Sequence, residues 1–168
     1  MICPDCGCDN LPGMDACEGC GMDLRSLDVP QPRQGLQRSL LEDPLRNLQP
    51  RKPLTVGPDD PLSAAVRLMK EGNEGSVFVV EKDRLVGILT ERDLLQKVAC
   101  KPIALERTPV RNMMTRDPVV LRGDDSLAYA LNRMSMGRYR HIPIVDERRL
   151  TGFVSVRGIL RYIAEKLR

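Results

Sequence analysis

Apolar positions along this chain recur with two different periods, and the alternation between them outlines most of its elements. The run Leu85, Val86, Ile88, Leu89 predicts a buried strand. Leu94, Leu95 and Val98 follow at the spacing of one helix face. Between the two, Thr90 falls where a helix N-cap belongs, with Asp93 three residues on. Upstream, Leu62, Ala65, Val66 and Met69 form the apolar stripe of a helix predicted over Pro61–Glu71, with Pro61 suited to its first turn. Leu54–Val56 and Val77–Val80 are predicted strands, the latter joined to Leu85–Leu89 by a polar turn, and a helix over Glu91–Ala99 closes the series.

The same order then returns. Residues 54–99 align without a gap on residues 119–164 at a constant offset of 65, with thirteen of forty-six pairs identical. Asp59/Asp124, Leu62/Leu127, Met69/Met134, Gly87/Gly152 and Arg92/Arg157 are among them. An ungapped match of this length is a duplication. The second copy predicts strands over Val119–Leu121, Ile142–Val145 and Leu150–Val154 and a helix over Leu127–Met136. Val156, Ile159, Leu160, Ile163 and Leu167 give its final helix a buried face.

Residues 1–24 follow neither period. Cys3-Pro-Asp-Cys6-Gly and Cys17-Glu-Gly-Cys20-Gly are two C-x2-C-G units ten residues apart. Zinc takes four soft donors in a tetrahedron, and each C-x2-C turn delivers two thiolates to one side of it. A disulfide or redox pair is the alternative use of the same residues. Cys8 is surplus, a bystander or an alternative ligand, and Cys100 stands alone. The segment resembles the zinc-ribbon family through Cys3, Cys6, Cys17 and Cys20, and a site closed by four thiolates is structural rather than catalytic. Between residues 25 and 50, Pro30, Pro32, Pro44 and Pro50 mark a linker. Leu36, Leu40, Leu41, Leu45 and Leu48 within it are expected to form a short amphipathic segment packing on the next domain.

Composition and charge narrow the function. The chain has 168 residues, 42% of them hydrophobic, with no Trp, three Tyr and two Phe, so its core is aliphatic. No apolar run approaches the roughly 20 residues that span a bilayer, and no basic-then-apolar leader opens the chain, so a soluble cytoplasmic protein is expected. Net charge is +3, but Asp5, Asp9, Asp15, Glu18 and Asp23 face no Lys or Arg in the first 24 residues, leaving the remainder at +8. An acidic thiolate module has nothing to offer a phosphate backbone, so nucleic acid is an unlikely partner and an unidentified protein the better one. No Cys/His or Ser/His/Asp spacing and no P-loop lysine is present, so no enzyme is expected.

Residues 51–168 resemble a tandem pair of CBS (cystathionine-beta-synthase) domains, a Bateman module. The resemblance is carried by the duplication, by Val110-Arg-Asn-Met-Met-Thr115, by His141-Ile-Pro-Ile-Val-Asp146 and by Gly87-Ile-Leu-Thr-Glu-Arg-Asp93. It implies a mixed α/β (α+β) fold, with two β-α-β-β-α repeats at 51–108 and 109–168 in pseudo-twofold arrangement, after a zinc ribbon at 1–24 and the linker at 25–50. It further implies a regulatory protein that dimerises and whose cleft binds AMP, ADP, ATP or S-adenosylmethionine. In the family motif the hydroxyl residue reaches phosphate and the acid reaches ribose, positions matched by Thr90 and Asp93. The same pair also serves as a plain capping box. Ser155 matches in the second copy, where Gly158 replaces the acid, so one competent site and one degraded or empty site are expected. Pseudo-twofold packing is expected to bring Arg138, Arg140 and His141 across the cleft from Asp93 as phosphate contacts. For His141 a structural role at a strand edge is the alternative. Thr55, Val56 and Val77 are expected near the adenine, with no aromatic ring beside it. A scaffold with a vestigial nucleotide site is the competing function.

Overall fold

The computed structural model describes residues 2–11, 14–25, 35–97 and 103–167. Residues 26–34 of the expected linker, the end of the helix predicted to Ala99, and Cys100 lie outside them. The chain divides into two compact units, Met1–Gln34 and Gly35–Arg168.

The first unit is a pair of matching knuckles. Cys3 N–H donates to Cys8 O at 2.9 Å and Gly7 N–H to Cys3 O at 2.9 Å; Cys17 N–H donates to Met22 O and Gly21 N–H to Cys17 O, both at 2.8 Å. Gly7 and Gly21 turn each knuckle at φ of 72° and 76°, where a side chain would be strained. Buried Leu24, Cys3 and Cys17 form its small core.

The second unit opens with α1 (Gly35–Glu42) and a 3-10 turn (Leu45–Leu48), followed by β1 (Thr55–Val56), α2 (Leu62–Gly72), β2 (Ser76–Glu81), β3 (Arg84–Thr90) and α3 (Glu91–Lys97). A second 3-10 turn (Val110–Asn112) leads to β4 (Thr115–Arg116), α4 (Leu127–Gly137), β5 (His141–Asp146), β6 (Arg149–Ser155) and α5 (Val156–Lys166). One sheet runs β1-β2-β3-β4, with β1 parallel to β2 and the other pairs antiparallel; β5 and β6 form a second, antiparallel sheet. The sheets meet at Phe78, Ile88 and Phe153, the two rings 5.2 Å apart.

Two elements differ from the pattern-based expectation. The strand over Val119–Leu121 is reduced to one parallel bridge between Leu121 and Ile144. Asp117, at φ 45°, turns the chain just upstream, and Pro118 has no N–H to give a ladder. The unexpected β4 pairs with Gly87 and Ile88. A Cβ on Gly87 would stand 2.5 Å from Met114 Sδ and 3.1 Å from Thr115 O, so glycine is what lets this segment in.

The repeats exchange their opening segments. Leu45, upstream of the first repeat, is fully buried in the core built from Leu121, Leu127, Ile142, Ile144 and Ile159 of the second. Val110, upstream of the second, is fully buried among Val56, Leu62, Val77 and Leu89 of the first. Backbone bonds match at the 65-residue offset: Leu45 N–H to Asp125 O and Val110 N–H to Asp60 O, both 2.9 Å. Ion pairs Arg46–Asp124 and Arg111–Asp59 flank them in the same register. α1 thus packs on the second repeat, where Tyr162 donates to Asp43.

Candidate functional site

Thr90 ends β3 and caps α3. Asp93 N–H donates to Thr90 Oγ1 at 3.3 Å, while Thr90 N–H and Oγ1–H donate to Asp93 Oδ2 at 3.0 and 2.6 Å, a closed capping box. The other carboxylate oxygen, Oδ1, accepts from Lys97 Nζ at 2.8 Å and from Thr115 Oγ1 at 3.2 Å. Lys97 also donates to Met113 O at 2.7 Å, fastening β4's approach to α3. Asp93 is buried to 9% exposure; burial alone would raise its pKa, but the bonds from Lys97 and Thr90 outweigh it and hold the carboxyl below its ordinary value.

Thr90 and Asp93 open on a cavity of about 310 Å³ between the repeats, whose far wall is Arg138, Tyr139, Arg140 and His141. Arg138 takes the left-handed cap after α4, at φ 53°, and its carbonyl accepts from Arg92 Nη1 at 3.0 Å. His141 starts β5 and is half-buried; burial first, then the Arg140 and Arg157 charges, lower its pKa against the opposing pull of Glu91, so the ring is neutral at pH 7. Five of the residues picked from sequence, Thr90, Asp93, Arg138, Arg140 and His141, therefore share one cavity.

The other choices sit elsewhere. Val56 and Val77 are buried in the first repeat's core, and Thr55 lines a separate hollow with Arg149 and Leu150. The apolar wall beside Asp93 is instead Ile88, Pro118 and Val119, and an aromatic ring, Tyr139, does line it. Val56 and Val77 are buried in the core of the first repeat, so their side chains offer little surface to an adenine. Tyr139 lies against Gly137, where even a Cβ would overlap its ring.

Ser155 caps α5 and accepts from Gly158 N–H at 3.2 Å. Beside Gly158 only about 10 Å³ remains, closed by Pro50, Arg51 and Phe153. A Cβ on Gly152 would meet Pro50 at 2.8 Å, a measure of how closely this segment lies on β6. Ser155 lines this space and also a different cavity, of about 460 Å³.

In the first unit the sulfurs of Cys3, Cys6, Cys17 and Cys20 lie within 4.8 Å of one another. Cys3 and Cys20 sulfurs are 3.7 Å apart and Cys6 and Cys17 sulfurs 3.5 Å. A zinc tetrahedron with 2.3 Å bonds spaces its sulfurs by about 3.8 Å, so the donor set fits that ion. Cys8 stands outside the group, its Sγ against Asp9 O at 3.9 Å. The Cys20 N–H, opposed by burial and helped by Gly19 N–H and Asn10, brings the Cys17 thiol down to about 6. Asn10 was not apparent in the sequence. Only 4% exposed, its side chain donates to Cys17 Sγ at 3.5 Å and accepts from Glu18 N–H at 3.0 Å, joining the two knuckles.

Comparison with known proteins agrees with this architecture. The family model described as CBS domain matches residues 45–100 and 110–165. The CBS domain-containing protein CBSCBSPB5 of Arabidopsis thaliana is 36% identical over 106 residues, 62% of this chain and 19% of that protein. The chain thus spans about a fifth of that relative's length. An uncharacterized 17.7 kDa protein of Acidianus ambivalens is 34% identical over 116 residues, 68% of this chain and 69% of that one. Among solved structures, a protein from Pyrococcus horikoshii superposes with a TM-score of 0.67 at 28% identity, covering 73% of this chain and 92% of that one. The CBS domain pair of protein MJ0100, crystallised with 5'-methylthioadenosine and S-adenosyl-L-methionine, shares the fold with a TM-score of 0.63 at 22% identity, over 71% of this chain and 98% of that one. With both repeats matched and the duplication visible in sequence and backbone alike, the chain belongs to the CBS domain family.

Proposed function

We propose that this protein is a non-catalytic regulator that binds an adenosine-containing ligand, AMP, ADP, ATP or S-adenosylmethionine, in the cavity between its repeats. The observation that carries the reading is the meeting of Thr90 and Asp93 from one repeat with Arg138, Arg140 and His141 from the other around about 310 Å³. Asp93 offers the ribose hydroxyls an ionised acceptor, the arginines offer a phosphate charge-assisted donors, and Tyr139 offers a base a flat face. The bond from Thr115, the longest to the Asp93 carboxylate, is the one a ribose hydroxyl displaces.

Zinc in the Cys3, Cys6, Cys17, Cys20 cluster would close the first unit by four metal–sulfur bonds and give it no catalytic position. Asn10 and the knuckle N–H groups orient the sulfurs toward that ion. The acidic module then meets a protein partner, and the exposed Leu95, Met136 and Leu160 on α3, α4 and α5 support pairing of the second unit with another copy. Among the described residues no helix is long and apolar enough to cross a membrane, in keeping with a cytoplasmic protein.

One observation favours a second reading, a scaffold with a vestigial site. Both oxygens of Asp93 already accept two protein donors each, which fills the capacity of a carboxylate. Isothermal titration with AMP, ADP, ATP and S-adenosylmethionine decides between them. Heat with one ligand, lost in Asp93→Ala, supports the sensor; no heat and no thermal shift with any leaves the scaffold. Metal analysis of the purified protein should find zinc, and Cys17→Ser should release it.

A further inference from the structure

The two knuckles of the first unit align at an offset of 14, which sets Cys3 beside Cys17, Cys6 beside Cys20 and Gly7 beside Gly21. Their backbones keep the same register, with bridges Ile2–Asp9 and Ala16–Asp23 and the matching bonds of Cys3 with Cys8 and Cys17 with Met22. One residue beyond each bridge the likeness ends. The second knuckle places Leu24 there, fully buried; the first places Asn10, at 4% exposure. An amide buried where its twin buries a leucine is costly unless it is hydrogen-bonded.

Asn10 is bonded through both of its polar atoms, and to both knuckles. Its Nδ2 donates to Cys8 O at 2.9 Å in its own knuckle and to Cys17 Sγ at 3.5 Å in the other, while Oδ1 accepts from Glu18 N–H at 3.0 Å. Gly19 N–H reaches the same sulfur at 3.3 Å. Cys6 and Cys20 are exposed and Cys17 is buried, so the Cys17 sulfur depends on protein donors where the other two have water. Four thiolates around a divalent ion leave two negative charges in excess. Residues 1–24 hold no Lys or Arg side chain to offset them, which leaves the work to amide N–H groups.

We infer, on the zinc reading of this cluster, that Asn10 is a positioning residue of the centre: its amide, sent across from the opposite knuckle, holds the Cys17 sulfur and takes up part of its negative charge. Like-charged sulfurs crowded together repel one another, and each N–H aimed at one of them lowers that cost. Partners of this kind behind a metal's own ligands commonly change its retention by about ten- to a hundredfold.

Cobalt(II), loaded at one equivalent into the full chain in place of zinc, reports on the sulfurs through its sulfur-to-metal charge-transfer band. Asn10→Asp keeps the side chain's shape and the acceptor for Glu18 N–H but has no N–H to give. Asn10→Leu installs the residue type of the sister knuckle. Both should move the band to longer wavelength while the d–d bands of a tetrahedral site persist, and both should lose zinc to excess EDTA about tenfold faster than the wild type. A mere brace between the knuckles would alter the melting temperature and leave the band of the cobalt form in place. An unshifted band in both variants therefore overturns the role of Asn10 while the zinc reading stands. A wild type that takes up neither cobalt nor zinc overturns both.

Discussion

At the start of its closing helix the first repeat carries Thr90 and Asp93, the second Ser155 and Gly158, and only the first brings a hydroxyl and a carboxyl together on one cavity. Beside Asp93 there is a cavity of about 310 Å³; beside Gly158, about 10 Å³. The backbones are otherwise close copies, down to the paired bonds of Leu45 with Asp125 and Val110 with Asp60. Position 97 and its counterpart 162 diverge in the same way: Lys97 reaches Asp93 and Met113, whereas Tyr162 reaches Asp43 on the loop after α1. The first repeat carries a carboxylate at its helix start, facing a hollow. The second keeps about 10 Å³ beside Gly158, against Pro50 and Arg51, and sets Tyr162 against Asp43 after α1. Duplication preserved the framework, and the two clefts parted through a few side chains.

The comparison can be broken most forcefully at the exchanged residues. Leu45→Ala should destabilise the second unit by about 2–5 kcal/mol, because a fully buried leucine is removed from a packed core. Val110→Ala, its smaller counterpart, should cost about 2 kcal/mol, and chemical denaturation of both variants measures the ratio. If Leu45→Ala were silent, the exchange would not be structural. Next, Asp93→Ala should weaken the adenosine ligand by about 100-fold, the loss of charge-assisted bonds to two hydroxyls, while circular dichroism shows the fold retained. Gly158→Asp sharpens the comparison from the other side. The only atom a Cβ there meets is Ser155 Oγ at 3.5 Å, so the residue fits. It should complete a capping box and stabilise α5 by about 1 kcal/mol, without adding a second equivalent of ligand, because the cleft beside it stays filled. The smallest effect concerns pH. His141 binds a proton less readily folded than unfolded, so stability should fall as pH drops from 7 through its ordinary value of 6.5. In His141→Gln the melting temperature should be flatter over that interval.

Much of this was legible in the chain itself. Period and offset located the helices and the long strands, because apolar stripes are set by which face must be buried. Thr90 and Asp93 were visible because their spacing is that of a cap, and the structure shows both cap and cavity at one place. The exchange was not. Pro44/Pro109, Arg46/Arg111 and Asn47/Asn112 are identical at the same offset, so the repeat reaches further back than residue 54. Sequence periodicity says that Leu45 is buried but not in which core. Thr55, Val56 and Val77 fall outside the lining of that cavity for a related reason: nearness to the cleft along the chain does not decide which face of a strand a side chain takes. Lys97 and Asn10 look like ordinary surface residues until their partners, Met113 O and Cys17 Sγ, are known.

Because each half lends Leu45 or Val110 to its sibling, neither half can fill its own interior. Either half taken alone would carry a hole where that borrowed side chain belongs, and trimming the chain at residue 51 would empty the core of the repeat that lies farther from the cut.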